Sequence, residues 1–229
     1  MSRSDVIEIF NAAVAAVHPR NIIPAVLRLQ NGAIEIANET IQLSPGRKVF
    51  LLSVGKAASA MALEAEKILY NSIAAGLVVT KYHHSLPLQF CTTIEAAHPV
   101  PDENSVKAAY SIKHFLRQLR KDDLLLCFIS GGASALIGDW KESMTLEDAK
   151  QITQLLLQCG ATIHELNTLR KHLCFLKGGQ LLEHCNGAAV YSFIMSDVPG
   201  DDFSIIASGL TVADASTAED ALRVLQKYE

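Results

Sequence analysis

The chain alternates between short, continuously apolar runs and longer segments with apolar residues at helical spacing. The clearest run, 124–129, has six apolar residues in succession, preceded by two aspartates and followed by Ser130 and two glycines. Such a run is typical of a strand that is buried on both faces of a parallel sheet. Shorter or less uniformly apolar segments predict further strands at 48–54, 76–80, 92–97 and 188–195.

Segments with helical periodicity lie before and between these strands. They predict helices over about 5–17, 24–30, 58–70, 105–119, 145–158, 161–175 and 216–228. We interpret the first two helices as packing elements. Thr145 is expected to cap its helix, with Asp148 completing an acidic variant of the capping box. The alternation predicts an α/β fold, a three-layer sandwich with a mostly parallel, Rossmann-like sheet flanked by helices.

Composition and charge narrow the class of protein. With 229 residues, 49% of them hydrophobic and 19% charged, the chain is long and apolar enough to bury a core. The net charge of -4 argues against a nucleic-acid-binding protein, whose surface is basic. The five scattered cysteines form no C-x-x-C pair, which disfavours a zinc site and favours a reducing compartment. Without a signal-peptide pattern or an apolar run of the ~20 residues that a membrane helix needs, we expect a cytoplasmic protein.

Two glycine-containing loops directly follow predicted strands. Gly55 and Lys56 come after the strand at 48–54 and before a helix, so a cation lies beside a helix N-terminus, which favours anions. The spacing of this loop is not that of a Walker A motif. The loop 130–134 follows the central apolar run, and its glycines allow backbone N–H groups to approach an anion closely.

Two more predicted strands end in polar residues. His98 leaves the strand at 92–97 where two prolines fix the backbone, so a ligand contact and a role in bracing the turn are both open. Carboxylates follow the strand at 188–195. One or two of them, together with substrate oxygens, could coordinate Mg²⁺. Aspartates are also common in turns, so a purely structural role stays open. These carboxylates belong to Asp197, Asp201 and Asp202.

A parallel sheet brings these strand ends to one edge, which predicts a site for a phosphorylated ligand. A serine hydrolase is disfavoured, because the segment 132–136 lacks the last glycine of a nucleophile elbow around Ser134. A dinucleotide oxidoreductase is disfavoured, because no G-x-G-x-x-G follows the strand at 48–54. A non-catalytic module that binds a sugar phosphate or small anion remains open.

Five motifs are distributed along the chain between residues 53 and 217. They are SVGKAASAM (53–61), AHPVPDENS (97–105), ISGGASAL (129–136), ELNTLRKHLCFLKGGQL (165–181) and SDVPGDDFSIIASGLTVADAST (196–217). Their order and spacing resemble the amino-terminal domain of the glycerate 2-kinase family. The resemblance implies transfer of a phosphoryl group from ATP to glycerate with Mg²⁺, giving 2-phosphoglycerate. Some members of that family are labelled hydroxypyruvate reductases, which makes this activity an alternative.

The resemblance also implies roles for individual residues. Lys56 matches the lysine after the family's first strand and is the candidate catalytic residue. The candidate substrate and phosphate ligands are Gly55, Ser130, Gly131, Gly132, Ala133, Ser134, Arg170 and Lys177. The candidate metal ligands are Asp197, Asp201 and Asp202. Ala133 departs from the family's third glycine, which matters only if that residue needs a positive φ or must touch a phosphate closely.

The domain organisation implied by the resemblance is a single amino-terminal domain, 1–229, without the family's carboxy-terminal domain. That second domain closes over the cleft, so we expect weak or no kinase activity from this chain unless a separately encoded second domain joins it. Apolar surface that the second domain covers in the family favours association into a homo-oligomer. The expected ligands are glycerate and a nucleotide, with no nucleic-acid or membrane partner.

Overall fold

The amino-terminal region combines two helices with a small antiparallel sheet. In this computed structural model, which describes residues 2–141 and 144–228, the elements are α1 (Arg3–Ala16), α2 (Pro19–Val26), β1 (Leu27–Gln30), β2 (Ala33–Ile36) and β3 (Glu39–Gln42). The prediction of a helix over 24–30 is therefore wrong from residue 27 onward. Asn31 and Gly32 both have positive φ, as a two-residue hairpin turn requires, and they join β1 to β2.

The main sheet is parallel throughout. Its strands are β4 (Val49–Val54), β5 (Ile73–Lys81), β6 (Cys91–Ala96), β7 (Leu124–Ser130) and β8 (Ala189–Met195). Their order across the sheet is β6-β5-β4-β7-β8, so the predicted Rossmann-like α/β fold is confirmed. The strand order reverses between β4 and β7, and sheets of this kind bind ligands at the carboxyl ends of the strands beside such a switch point.

Helices cover both faces of the main sheet, with α3 (Ala58–Leu69) on one face and α4 (Glu103–Leu116) and α5 (Ala133–Leu136) on the other. The helices α6 (Leu146–Gln158), α7 (Ile163–Leu173) and α8 (Ala218–Lys227) pack in a separate apolar cluster. Successive residues of β4 point to opposite faces: Leu52 packs in the core that α4 covers, and Leu51 packs in the core that α3 covers. Both strands at the switch point, β4 and β7, are buried along their whole length, as their continuous apolar runs predict.

The first helix, α1, does not contribute to either core. None of its residues is buried, and Ile9 and Phe10 are 60% and 65% exposed. The predicted apolar stripe is present, but the interpretation of α1 as a packing element is wrong for the described chain. No helix in the ranges 2–141 and 144–228 combines the length and apolar character that crossing a membrane requires.

Candidate functional site

The loops that follow β4 and β7 are bonded to each other at the switch point. Lys56 N donates to Gly131 O at 2.9 Å, and Ala57 N donates to Ser130 Oγ at 3.1 Å. Gly55 has a φ of +129°, and a Cβ there would lie 2.2 Å from Ser130 Oγ. Only glycine therefore allows the two loops to approach this closely. These contacts fix the backbone of Lys56 just before the first turn of α3.

Gly131 and Gly132 bring two further strand ends into the same cleft. A Cβ on Gly131 would lie 1.9 Å from Asp197 Oδ2, beyond the end of β8. Gly132 has a φ of +90°, and a Cβ there would lie 3.1 Å from His98 Nε2 and 3.2 Å from Lys56 Cγ. The loops after β4, β6, β7 and β8 therefore meet around these two glycines.

The cleft between the loops after β4, β7 and β8 has a volume of about 630 Å³. Its lining includes Lys56, Gly131, Asp197 and Asp201, with an apolar side that contains Met195. A second cavity, of about 520 Å³, lies beside α4 and contains none of the predicted site residues. The first cavity is therefore the candidate functional site.

Lys56 and Asp197 form an ion pair within this cleft. Lys56 Nζ lies 3.3 Å from Asp197 Oδ2, and the two side chains are 42% and 52% exposed. Ion pairs that are this accessible to water contribute about 0–1 kcal/mol to stability. Because the pair is weak, an anionic ligand can replace Asp197 as the partner of Lys56.

His98 is a half-buried imidazole beside Gly132. Burial lowers its pKa, the nearby charges of Lys56 and Lys81 lower it further, and Asp197 acts in the opposite direction. The ring is therefore neutral at pH 7, since a histidine with an ordinary pKa of about 6.5 is already mostly neutral there.

Asp102 holds the loop that carries His98. Its carboxylate accepts hydrogen bonds from Tyr82 Oη at 2.6 Å, Ser105 N at 3.0 Å and Ala97 N at 3.3 Å. Burial alone would raise the pKa of Asp102, but these hydrogen bonds outweigh burial and lower it. The sequence contained a signal for this support, because Asp102 and Ser105 have the spacing of a capping box at the start of α4.

The two serines of the β7 loop use their hydroxyls within the protein. Ser130 is 2% exposed and its hydroxyl accepts from Ala57 N, so it positions the Lys56 loop. Ser134 Oγ lies 2.8 Å from Ser208 Oγ, which in turn donates to Asn167 Oδ1 at 2.9 Å. Ala133 is the first residue of α5 and does not have a positive φ, so its Cβ is accommodated.

The structure does not bring Lys177 or Arg170 to the cleft. Lys177 is 2% exposed, forms a buried ion pair with Asp139, and donates to Ile137 O at 2.9 Å. Burial alone would lower the pKa of Lys177, but the Asp139 carboxylate raises it. Arg170 lies against the apolar side chains of a separate cavity of about 30 Å³ that also contains Trp140. Both side chains therefore contact other parts of the protein outside the cleft. For Lys177, the sequence pattern of a lysine before two glycines could not reveal the buried partner.

The three aspartates after β8 have different surroundings. Asp197 pairs with Lys56, Asp201 lines the cleft, and Asp202 accepts from Ser204 N at 2.8 Å within its own turn. Within the described residues, no three histidine, cysteine, aspartate or glutamate side chains converge closely enough to hold a metal ion.

The fold and the cleft together define a Rossmann-like α/β domain with a cleft at its switch point that contains Lys56 and Asp197. Residues 5–229 match the family described as "Domain of unknown function (DUF4147)". With the relatives that follow, this match shows that the chain belongs to the glycerate 2-kinase family.

Several named proteins are similar in sequence or structure to most of this chain. It is 42% identical over 214 residues to the D-glycerate 2-kinase of Thermotoga maritima. That alignment covers 87% of this chain and 51% of the relative. It is 42% identical over 220 residues to an Agrobacterium vitis protein provisionally named a hydroxypyruvate reductase, covering 96% of this chain and 47% of the relative. A crystal structure of a Pyrococcus horikoshii OT3 protein matches 99% of this chain and 51% of its own, with 38% identity and a TM-score of 0.90. The chain spans about half the length of the curated relatives it matches.

Proposed function

We propose that the cleft binds phosphoryl groups during the ATP-dependent phosphorylation of glycerate to 2-phosphoglycerate. The observation that carries this proposal is the position of Lys56, whose backbone is bonded to Gly131 and whose ammonium group lies in the cleft. A lysine beside a glycine loop and a helix N-terminus is suited to a phosphate. The kinase names of two relatives support the choice of reaction.

The residues of the cleft fit a nucleotide phosphate. Gly131 allows the Asp197 carboxylate to approach the β7 loop, and Gly132 allows His98 and Lys56 to approach it, so Lys56 supplies a positive charge beside this loop. The nucleotide, when bound with Mg²⁺, supplies the transferable phosphoryl group. Asp201 lines the cleft and is the proposed carboxylate contact for Mg²⁺, which needs only one or two protein carboxylates when phosphates are present.

We expect slow turnover by this chain alone. Lys56 and Asp197 are about half exposed, and water weakens the electrostatic stabilisation that phosphoryl transfer depends on. We propose that a second domain, from a separate chain, closes the cleft, or that a second copy of this chain covers its apolar side. The five free cysteines support a proposed cytoplasmic location.

The direct test incubates the purified chain with ATP, Mg²⁺ and D-glycerate and measures ADP and phosphoglycerate by ³¹P NMR. We expect glycerate-dependent formation of both products, and a loss of roughly 10²–10³-fold in Lys56→Ala, the usual effect of removing one transition-state donor. The matched control is Lys107→Ala, which removes an exposed lysine of α4. Failure to form product, together with failure to bind ATP or 2-phosphoglycerate, would contradict the proposal.

Hydroxypyruvate reduction is the second candidate, because one relative carries that name. The loop of Gly55 and Lys56 lacks the glycine spacing of a dinucleotide site, which disfavours it. NADH oxidation in the presence of hydroxypyruvate tests this activity. A module that only binds phosphorylated ligands would instead show binding of 2-phosphoglycerate by calorimetry without any turnover.

A further inference from the structure

The imidazole of His98 lies beside Gly132, in the β7 loop whose neighbouring residues Ser130 and Gly131 line the cleft. A Cβ at Gly132 would lie 3.0 Å from His98 Cδ2, 3.1 Å from His98 Nε2 and 3.2 Å from Lys56 Cγ, so the two side chains flank the same glycine. The Nε2 edge of the ring therefore faces the proposed phosphate loop. We propose that His98 accepts the proton of the glycerate 2-hydroxyl during phosphoryl transfer, an inference that rests on the proposed function.

The proposed step transfers one phosphoryl group and one proton. The hydroxyl oxygen of glycerate forms a bond to the γ-phosphorus of ATP, while the bond from that phosphorus to the bridging oxygen breaks and its electron pair leaves with ADP. The hydroxyl proton moves to the neutral imidazole of His98. The ring then carries a positive charge beside the new phosphate ester, where it stabilises the product.

The groups around His98 suit a proton acceptor. Lys56 after β4 and Lys81 at the end of β5 are the facing cations, and Asp197 after β8 is the facing anion. Burial and the two lysines lower the pKa of His98, which keeps the ring neutral before the reaction. Within residues 2–141 and 144–228, the ring makes no hydrogen bond or ion pair, so its nitrogens remain available to a substrate.

Other groups near the cleft are less suited to this role. Asp197 lies 3.3 Å from Lys56, and its negative charge repels the phosphoryl groups that the cleft is proposed to bind. His84 Nδ1 lies 3.2 Å from Lys56 O, so this ring is held by the backbone of the loop. His83 packs beside the ring of Tyr82, with the centroids 6.5 Å apart. Of these three histidines, His98 is therefore the one that lies beside Gly132 with its ring nitrogens available to a ligand.

The test follows the titration of His98 by NMR in the unsubstituted chain, with and without D-2-phosphoglycerate and without metal. His98→Gln identifies its Cε1 proton among those of the eight histidines. We expect the phosphate ester to raise the titration midpoint of His98, because the protonated ring pairs with it. The Cε1 proton signal of His114, an exposed residue of α4, should not change when the ligand is added. A bound ligand that leaves the His98 midpoint unchanged overturns the inference but not the proposed function. Absence of binding overturns the proposed function, and the inference with it.

Turnover provides a second measurement, which separates a role of His98 in proton transfer from a purely structural role. In the ³¹P assay, His98→Gln should lower the rate at saturating substrate by roughly 10²–10⁴-fold, the usual contribution of a general base. The KM for ATP should change less than about twofold, and His114→Gln should match the unsubstituted chain. A raised KM for ATP with an unchanged saturating rate would assign His98 to nucleotide binding and overturn its role as the proton acceptor.

Discussion

Lys56 Nζ lies 3.3 Å from Asp197 Oδ2, although the two residues are 141 positions apart in the chain. The pair joins the loop after β4 to the loop after β8 across the end of β7. Both side chains are about half exposed, so water and salt weaken their attraction. In the chain without a ligand, the pair holds the side chain of Lys56 in place. Because the attraction is weak, the ammonium group can still pair with an anionic ligand.

Replacing Asp197 with Asn should strengthen the binding of metal-free 2-phosphoglycerate. The substitution removes both the competing partner of Lys56 and a negative charge beside the phosphate. Calorimetry should show up to about a fivefold gain in affinity at low salt, which shrinks as salt is added. Weaker binding by this variant would show that Asp197 contacts the ligand itself and contradict its role as a resting partner.

Gly131→Ala should distort the cleft, because the new Cβ would lie 1.9 Å from Asp197 Oδ2 and 2.3 Å from Asp197 Cγ. We expect loss of 2-phosphoglycerate binding and a lower unfolding temperature. The double variant Gly131→Ala with Asp197→Ala removes the clashing atoms and should recover most of the unfolding temperature. If the double variant were no more stable than Gly131→Ala, the close approach of these two residues would not be the cause.

Lys177→Met should destabilise the fold strongly, because it leaves the Asp139 carboxylate buried without its cation. Breaking a buried pair from one side typically costs about 3–5 kcal/mol of unfolding free energy. Adding Asp139→Asn removes the uncompensated charge and should restore part of the loss, as measured by urea unfolding. A loss below 1 kcal/mol in the single variant would be inconsistent with the buried ion pair.

Glu165 should stabilise the fold in a pH-dependent way. Hydrogen bonds from Lys227 and from Thr162 lower the pKa of Glu165 to about 2, from an ordinary value of 4.5. A carboxylate whose pKa is lower in the folded state than in the unfolded state adds to the free energy of unfolding. This contribution is complete above the unfolded-state pKa and is lost as the pH falls through the folded-state pKa. The difference in unfolding free energy between the unsubstituted chain and Glu165→Gln should therefore be constant above about pH 4.5 and close as the pH falls toward 2. A difference that stayed constant across this range would contradict the assignment, and Glu183→Gln, at an exposed position, is the control.

The main sheet could be predicted because its central strands are continuously apolar. The predicted strand 48–54 is found at Val49–Val54, and the predicted capping box of Thr145 and Asp148 is confirmed. The small sheet was missed because its strands have four residues each, too few to separate a strand period from a helical one.

The cleft could be predicted only in part. Strand ends are readable from sequence, and a parallel sheet brings them to one edge, which is why Lys56 and Gly131 were found together. The pattern of lysine next to glycine is the same at Lys177, whose buried partner Asp139 lies 38 positions away and is set by tertiary packing. The use of the Ser130 hydroxyl by Ala57 likewise depends on how closely two loops pack, which no local pattern records.

The measurement that tests the central claim most directly is calorimetry of D-2-phosphoglycerate binding to the unsubstituted chain, Lys56→Met and Lys107→Met. Methionine keeps most of the apolar stem while removing the charge, and Lys107 is an exposed lysine of α4 outside the cleft. We predict binding to the unsubstituted chain and to Lys107→Met, and at least tenfold weaker binding to Lys56→Met, since a charged hydrogen bond contributes about 1.5–3 kcal/mol. Equal binding by all three proteins would contradict the assignment of this cleft as the phosphate site.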